Sequence, residues 1–315
     1  MKMSSKLKSL VVLLIVINLC MFLHDSLSEY FLYANEREDD PWFTQRFDKA
    51  VEPFLTVEHK LSMHAFKWWK ASTQLQPIER QSFDDYQTVV DALLKTFPAI
   101  SKGAEPGPAE RCRMCAVVGN SAHLKDSRYG HLIDIHDVVL RMNKSPIKGY
   151  EEDVGTKTTH RLMYPESATD LDNITHLVLL PFKIMDMVWL QKALTTGFKG
   201  ETYQPVRANI QVNKSLVMVL NPGFIAYVHR VWLRRRSGYP STGFLAVILA
   251  LHMCEEVHVF GYGADRDRNW SHYWEKLKNP NLGTGLHYGK QEYYLIQKLA
   301  DRKKIKLFKR RFTKS

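Results

Sequence analysis

The sequence predicts an α/β fold: a single open, mostly parallel sheet with helices on both faces. Three observations carry that reading. Strand-length stretches recur at residues 115–119, 136–143, 176–182, 215–222 and 256–263, with a late one at 304–308. Apolar strands interleaved with helical stretches argue for a sheet buried on both sides. Residues 242–254 are apolar all round, as a helix is when it lies inside a protein rather than on it. Two of the strand stretches also run into asparagines, Asn120 just after Gly119, and Asn143. Polar groups at two strand ends fit a nucleotide site at the carboxyl edge of an open α/β sheet. The alternative is that both asparagines only cap turns.

The chain of 315 residues has room for one sizeable domain or two small ones. Its 45% hydrophobic and 24% charged residues are ordinary for a globular protein, while a net charge of +11 suits an anionic ligand or surface. Zinc-finger spacing and RNP-like aromatic motifs are absent from the sequence, which disfavours nucleic acid as the partner.

In chain order, Lys2, Lys6 and Lys8 precede an apolar run at 10–23. Fourteen helical residues span about 21 Å, short for a hydrocarbon core of about 30 Å, so a cleaved signal peptide and an uncleaved signal anchor both stand. Residues 24–41 are polar and acidic and read as a stem. Trp42 begins the folded part, and 66–76, with Trp68 and Trp69, reads as an amphipathic helix against the sheet. Residues 101–110, rich in Gly, Pro and Ala, form a loop feeding the first strand. Asn120 and Ser121 then stand where a helix would begin, with open backbone N–H groups and the positive dipole end. Ser241 occupies the N-cap position of the buried helix, and Gly243 allows a ligand to approach its first turn closely.

Of four cysteines, Cys20 lies in the apolar run; Cys112 and Cys115 form a lone C-x-x-C with no second half-site, which disfavours structural zinc. Sequons occur at Asn143, Asn173, Asn213 and Asn269, of which Asn173 and Asn213 are the better glycosylation candidates.

Four pieces of the chain resemble, in order, the four motifs of animal sialyltransferases. Residues 115–165, with Cys115, Gly119-Asn-Ser121 and Arg141-Met-Asn-Lys144, resemble the large motif. Tyr239-Pro-Ser-Thr-Gly243 through Gly263 resembles the small one, His272-Tyr-Trp-Glu275 the third, and His287-x4-Glu292 the very small one. Within the family the chain looks most like the β-galactoside α2,3-sialyltransferases acting on Galβ1,3GalNAc of O-glycans; N-glycan or glycolipid galactose is the alternative acceptor, and a non-catalytic CMP- or glycan-binding protein the non-enzymatic one. The chain reads GNSAH where relatives read GNSGN, placing His123 at the last position.

The resemblance implies a GT-A-like variant of the fold. It implies a cytoplasmic tail at 1–9, a signal anchor at 10–23, a stem at 24–41 and a lumenal catalytic domain at 42–315. The protein is then a single-pass type II Golgi membrane protein, or a secreted one where the anchor is cut. It pairs Cys115 with Cys254 and leaves Cys112 as a free thiol or an intersubunit one. The implied donor is CMP-sialic acid and the acceptor a galactose-terminated glycan. Asn120, Asn143 and Gly263 line the nucleotide; Tyr203, Tyr239, Ser241, Thr242 and Gly243 serve the phosphate; Gln74 touches the acceptor. His272 bonds the departing phosphate and His287 is the general base, with Glu292 in an orienting role. Metal is not expected. The Asp265-x-Asp267 pair reads as a surface turn, because a single phosphodiester charge can be met by hydrogen bonds where a diphosphate needs a cation.

Overall fold

The structure is a computed structural model that describes residues 40–58, 62–72, 82–97, 112–202, 204–236, 238–264, 270–275 and 287–309. Outside the described residues lie positions 1–39, and with them the tail, the apolar run and nearly all of the stem, as well as Gln74, Tyr203, Asp265, Asp267 and Asn269. Among the described residues no helix is long and apolar enough to cross a membrane.

The chain divides into two compact units, residues 1–48 and 49–315. In the first, Asp40 caps the single helical turn Pro41–Thr44 by accepting from the amides of Trp42 and Phe43. Arg46 lies over the Trp42 ring, 4.5 Å from its centroid.

The second unit is built on seven strands: β1 (Met114–Val118), β2 (Val138–Met142), β3 (His160–Met163), β4 (His176–Leu179), β5 (Val217–Val219), β6 (Glu256–Phe260) and β7 (Lys306–Phe308). They pair in the order β5-β4-β3-β2-β1-β6-β7, and every named pairing is parallel. The principal helices are α1 (Met63–Ser72), α2 (Phe83–Thr96), α3 (Ile184–Ala193), α4 (Pro222–Tyr227), α5 (Thr242–Met253) and α6 (Gly289–Asp301). The outer edge of β5 is met by Phe54 in an antiparallel bridge to Leu220, which covers an otherwise open ladder.

Alternation of side chains sorts the core into two faces. On one, Ala116, Val118, Val139 and Phe260 pack with Leu124, Ile133 and Tyr273. The same face of β3, β4 and β5 presents Met163, Leu177, Leu179, Val217 and Val219 to Phe66 and Trp69 of α1, Leu93 of α2 and Trp189 of α3. On the other face α5 covers β1, β2, β3 and β6, with α6 beside it. The α5 residues Phe244 to Ala250 are all buried, as a helix apolar all round requires. Cys115 of β1 is bridged to Cys254 at the end of α5 across 139 residues, their Cα atoms 5.8 Å apart; Cys112 is exposed and takes no part in that bridge.

The strand order has a functional consequence. From β1 the chain steps strand by strand to β5, then α5 carries it back across the opposite face to β6. The strand order reverses at β1 and β6, so the carboxyl ends of these adjacent strands are where an open α/β sheet holds its ligand crevice.

Strand β3 has no apolar run to announce it, because two of its four residues, His160 and Arg161, are polar and buried. Arg161 directs one terminal nitrogen at the carbonyls of Asn143, Lys144 and Ser145, at 3.2, 3.4 and 3.4 Å, and so holds the loop that leaves β2. Arg141 beside it is fully buried and donates to the Val154 and Lys157 carbonyls and the Thr158 hydroxyl. Burial pulls its pKa down to about 10, so it stays charged.

Candidate active site

The crevice floor is made of backbone. Gly119 leaves β1 with its amide on the Phe260 carbonyl at 2.7 Å, and a Cβ here would come within 2.2 Å of the Gly261 carbonyl oxygen. Gly263 has φ +100°, and a Cβ there would run into the Tyr293 ring at 2.7 Å. Side chains are excluded at both points by contact, and at the second by conformation as well. Ser121 ties the two loops together: its amide donates to the Gly261 carbonyl at 3.0 Å and its hydroxyl to the Gly263 carbonyl at 2.7 Å.

The expected helix after Asn120 is a single 3-10 turn, Ala122–Leu124. The turn ends because Lys125 is extended, with ψ 128°, and Asp126 is left-handed, with φ 58°. The Ser121 and Ala122 amides are spent on Gly261 and Ser271, so they are not open to an anion. His123 has turned away to a role in the loop, its Nε2 2.5 Å from the Ala264 carbonyl.

The two asparagines are more than turn caps. Asn120 donates its Nδ2 to the Met142 carbonyl at 3.3 Å, and Asn143 adopts a left-handed φ of 55° at the end of β2. Both side-chain carbonyl oxygens are buried and, among the described residues, have no hydrogen-bond partner. A buried acceptor left in that state costs about 1–3 kcal/mol, a cost that a ligand bringing N–H or O–H groups would remove.

His272 reaches the same crevice because Ser121 bridges to it and the Tyr273 amide donates to the Asn120 carbonyl at 3.0 Å. Its ring stacks on Trp274 at 4.5 Å with 6° between planes, and Nδ1 is 2.8 Å from the Glu275 carboxylate. A carboxylate only accepts, so Nδ1 carries a proton and Nε2 is left for a ligand.

The second half of the site is the N-terminus of α5. Ser241 caps it by accepting from the Phe244 amide at 3.1 Å. Glu292 of α6 takes both remaining Ser241 donors, the amide on Oε1 at 2.8 Å and the hydroxyl on Oε2 at 2.5 Å. The Ser241 hydroxyl is therefore engaged, and the open donors of this turn are the amides of Thr242 and Gly243 with the Thr242 hydroxyl. Glu292 is buried, and burial pushes its pKa up, against the pull of the Ser241 bonds and of His287 nearby. His287 stands just before α6, which begins at Gly289, while Glu292 lies in its first turn.

His287 donates Nδ1–H to the Tyr239 carbonyl at 3.3 Å, and its ring meets the Tyr239 ring edge-on at 4.8 Å. A carbonyl also only accepts, so the neutral ring keeps its lone pair on Nε2. Tyr239 in turn packs on Phe182 at 5.3 Å, and Phe182 on Tyr164 at 5.7 Å. Behind this line of rings Lys183 pairs with Asp186 at 2.6 Å and Glu166 at 3.3 Å, and Glu166 also accepts from Thr202, next to Tyr203.

Tyr262 joins the halves. Its hydroxyl donates to the Gly243 carbonyl at 2.9 Å and lies 3.5 Å from the Met142 sulfur, and its ring is the nearest side chain to both Gly119 and Gly243. Burial pushes its phenol well above the usual range, so it is a donor at any working pH. Sequence reasoning gave Tyr262 no role, although a tyrosine between two glycines at a strand end was its signal. Among the described residues no group of three or more His, Cys, Asp or Glu is placed to hold a metal ion.

A family model described as glycosyltransferase family 29 (sialyltransferase) matches residues 54–304, which include both halves of this site. The chain belongs to glycosyltransferase family 29, the sialyltransferases. The CMP-N-acetylneuraminate-beta-galactosamide-alpha-2,3-sialyltransferase 1 of Gallus gallus is 44% identical over 279 residues, covering 86% of this chain and 78% of that protein. The protein of that name from Homo sapiens is 41% identical over 284 residues, covering 88% and 81%. A crystal structure of a mammalian sialyltransferase in complex with Gal-beta-1-3GalNAc-ortho-nitrophenol superposes with a TM-score of 0.76 at 41% identity, over 86% of this chain and 95% of that one. As a sialyltransferase, the chain has the parallel α/β sheet and the Cys115–Cys254 bridge that its motifs implied.

Proposed function

We propose that this sialyltransferase transfers sialic acid from CMP-sialic acid to the 3-hydroxyl of a terminal galactose, and that its acceptor is Galβ1,3GalNAc of O-glycans. The observation that carries the reading is the pairing of a lone-pair-bearing His287 with the open α5 turn, through Tyr239 on one side and Glu292 on the other. That network puts a base and a set of anion donors at one place, as a one-step displacement needs. The likeness to the structure holding Gal-beta-1-3GalNAc-ortho-nitrophenol supports the acceptor, and the names of the relatives support the α2,3 linkage.

In this reading the nucleotide lies in the β1–β6 crevice, where its amino and hydroxyl groups satisfy the Asn120 and Asn143 oxygens. The phosphate meets the Thr242 and Gly243 amides, Tyr203 and Nε2–H of His272. A phosphate at Nε2 requires the doubly protonated ring, and Glu275 is the counter-charge on its other side. His287 Nε2 takes the proton of the galactose 3-hydroxyl as its oxygen attacks the anomeric carbon from the face opposite CMP. The bond to the phosphate oxygen breaks with its electron pair going to CMP, and configuration inverts without a covalent enzyme intermediate. Gln74 contributes to acceptor binding. The catalytic domain faces the Golgi lumen on a signal anchor at 10–23.

The test is transfer of labelled sialic acid from CMP-sialic acid to Galβ1,3GalNAc, Galβ1,4GlcNAc and lactosyl acceptors, with and without a chelator. Incorporation into the first at ten times the rate of the others, unchanged by chelator, is the expected result. Preference for either of the others moves the acceptor to N-glycans or glycolipids, and no incorporation into any removes the enzymatic reading.

A further inference from the structure

Between α4 and the Tyr239 turn the chain makes an unusual excursion. After α4 it runs as a π-helical turn, Val228–Trp232, a form that occurs mostly as short insertions and often at functional sites. Arg234 and Arg235 follow with φ of 50° and 60°, a left-handed conformation that residues with a Cβ adopt reluctantly. Arg230, Arg234, Arg235 and Arg236 are all exposed. Among the described residues none of the four is paired with a carboxylate, whereas Arg141 and Arg161 inside the protein and Arg207 on its surface all have hydrogen-bond partners. These four guanidiniums within seven residues contribute to a net charge of +11.

Their place is defined. The π-helical turn is anchored by His229, whose ring lies 4.8 Å from Trp68 of α1, and by buried Trp232. Arg236 is three residues before Tyr239, whose carbonyl holds His287. Three residues of chain reach at most about 11 Å, close to the length of a disaccharide. The Arg236 backbone therefore lies within that reach of Tyr239, whose carbonyl holds the residue assigned to the acceptor hydroxyl.

Resting on the transfer reaction proposed above, we infer that Arg230, Arg234, Arg235 and Arg236 form a docking surface for the peptide of the acceptor glycoprotein, selecting glycosylation sites flanked by Asp or Glu. The disaccharide spans from His287 to its peptide, and carboxylates on that peptide lie within reach of the guanidiniums. Charge complementarity of this kind raises the association rate and favours one partner over another, and it weakens with salt.

The test uses the full chain and a variant carrying Arg234→Gln, Arg235→Gln and Arg236→Gln. Kinetics are measured on three acceptors: the free disaccharide, a glycopeptide flanked by Asp and Glu, and the same glycopeptide flanked by Asn and Gln. The native chain is expected to prefer the acidic glycopeptide by about tenfold in kcat/KM at low salt, with the preference fading towards 0.5 M salt. The variant should lose that preference and keep its rate on the free disaccharide. Equal use of the two glycopeptides by the native chain overturns the inference. So does a rise in donor KM common to all three acceptors, which would give the arginines to the donor. A variant that keeps its preference but no longer binds phosphatidylserine vesicles would give them to a membrane. Fluorescence anisotropy of the two labelled glycopeptides reads the surface without turnover. If transfer fails on every acceptor but the acidic peptide binds about tenfold tighter, the catalytic reading falls and this surface stands.

Discussion

Ser241 gives both of its donors to Glu292, amide to one carboxylate oxygen at 2.8 Å and hydroxyl to the other at 2.5 Å. The bond joins the first residue before α5 to the first turn of α6, 51 positions later, and holds the start of α6 against the turn that opens α5. Replacing Glu292 by Gln leaves one Ser241 donor facing an amide N–H instead of an oxygen. The expected loss is about 1–3 kcal/mol of stability, read by thermal denaturation, and about a tenfold fall in kcat, read by single-turnover kinetics. Unchanged kcat in a destabilised variant would confine Glu292 to a structural part.

The proposed reaction gives His287 the proton of the acceptor hydroxyl and His272 a bond to the departing phosphate. His287→Ala should then reduce kcat by about 10²–10³ with little change in donor KM. His272→Gln should weaken CMP binding as well as kcat, read by calorimetry and single-turnover kinetics. Unchanged CMP affinity in that variant would exclude His272 as the phosphate donor.

Acid stability depends on histidines at the opposite edge of the sheet. His160 is buried against the His176 ring, 4.5 Å away and parallel to it, and burial lowers its pKa to about 3. The folded chain therefore holds it neutral while the unfolded chain protonates near 6.5. Below that pH the unfolded state binds the extra proton, so stability is full above about 6.5 and is lost as pH falls towards 3, by up to about 1.4 kcal/mol per unit. His136 and His258, also held low by burial, add in the same direction. Urea midpoints between pH 4 and 7 should show this slope, and His160→Asn should flatten it.

Asn213 is engaged as the cap of a 3-10 turn, accepting from the Ser215 amide at 3.0 Å and donating Nδ2 to the Asn173 carbonyl at 2.9 Å. Asn173 lies in an exposed loop beside Ile174, which is 77% exposed. Glycan should therefore be found on Asn173 in preference to Asn213 when the protein passes through a secretory pathway. Peptide mapping after deglycosylation in heavy-oxygen water checks it, and a glycan on Asn213 alone would contradict it.

How far the sequence could be read differed from element to element. Strands β1, β4, β5 and β6 announced themselves as apolar runs, because a parallel strand covered on both faces has no polar side to break the pattern. Helix α5 did so for the same reason. Strand β3 did not, since Arg161 and His160 are buried in it on hydrogen bonds to distant carbonyls and rings, and a buried arginine looks in sequence like a surface one. The turn after Asn120 was read as a helix start, but Lys125 is extended and Asp126 left-handed after one 3-10 turn, and its first amides bond to Gly261 and Ser271, more than a hundred residues away.

The local chemistry of this chain was settled by sequence alone: which segments are apolar, which glycines end strands, and which four motifs occur in what order. The tertiary structure decided the partnerships. It set Glu292 on Ser241, Tyr262 between Gly119 and Gly243, and His272 and His287 each on an acceptor that assigns its proton to Nδ1. Periodicity and propensity act over a few residues, whereas a hydrogen bond forms between whatever groups the strand order brings within about 3 Å.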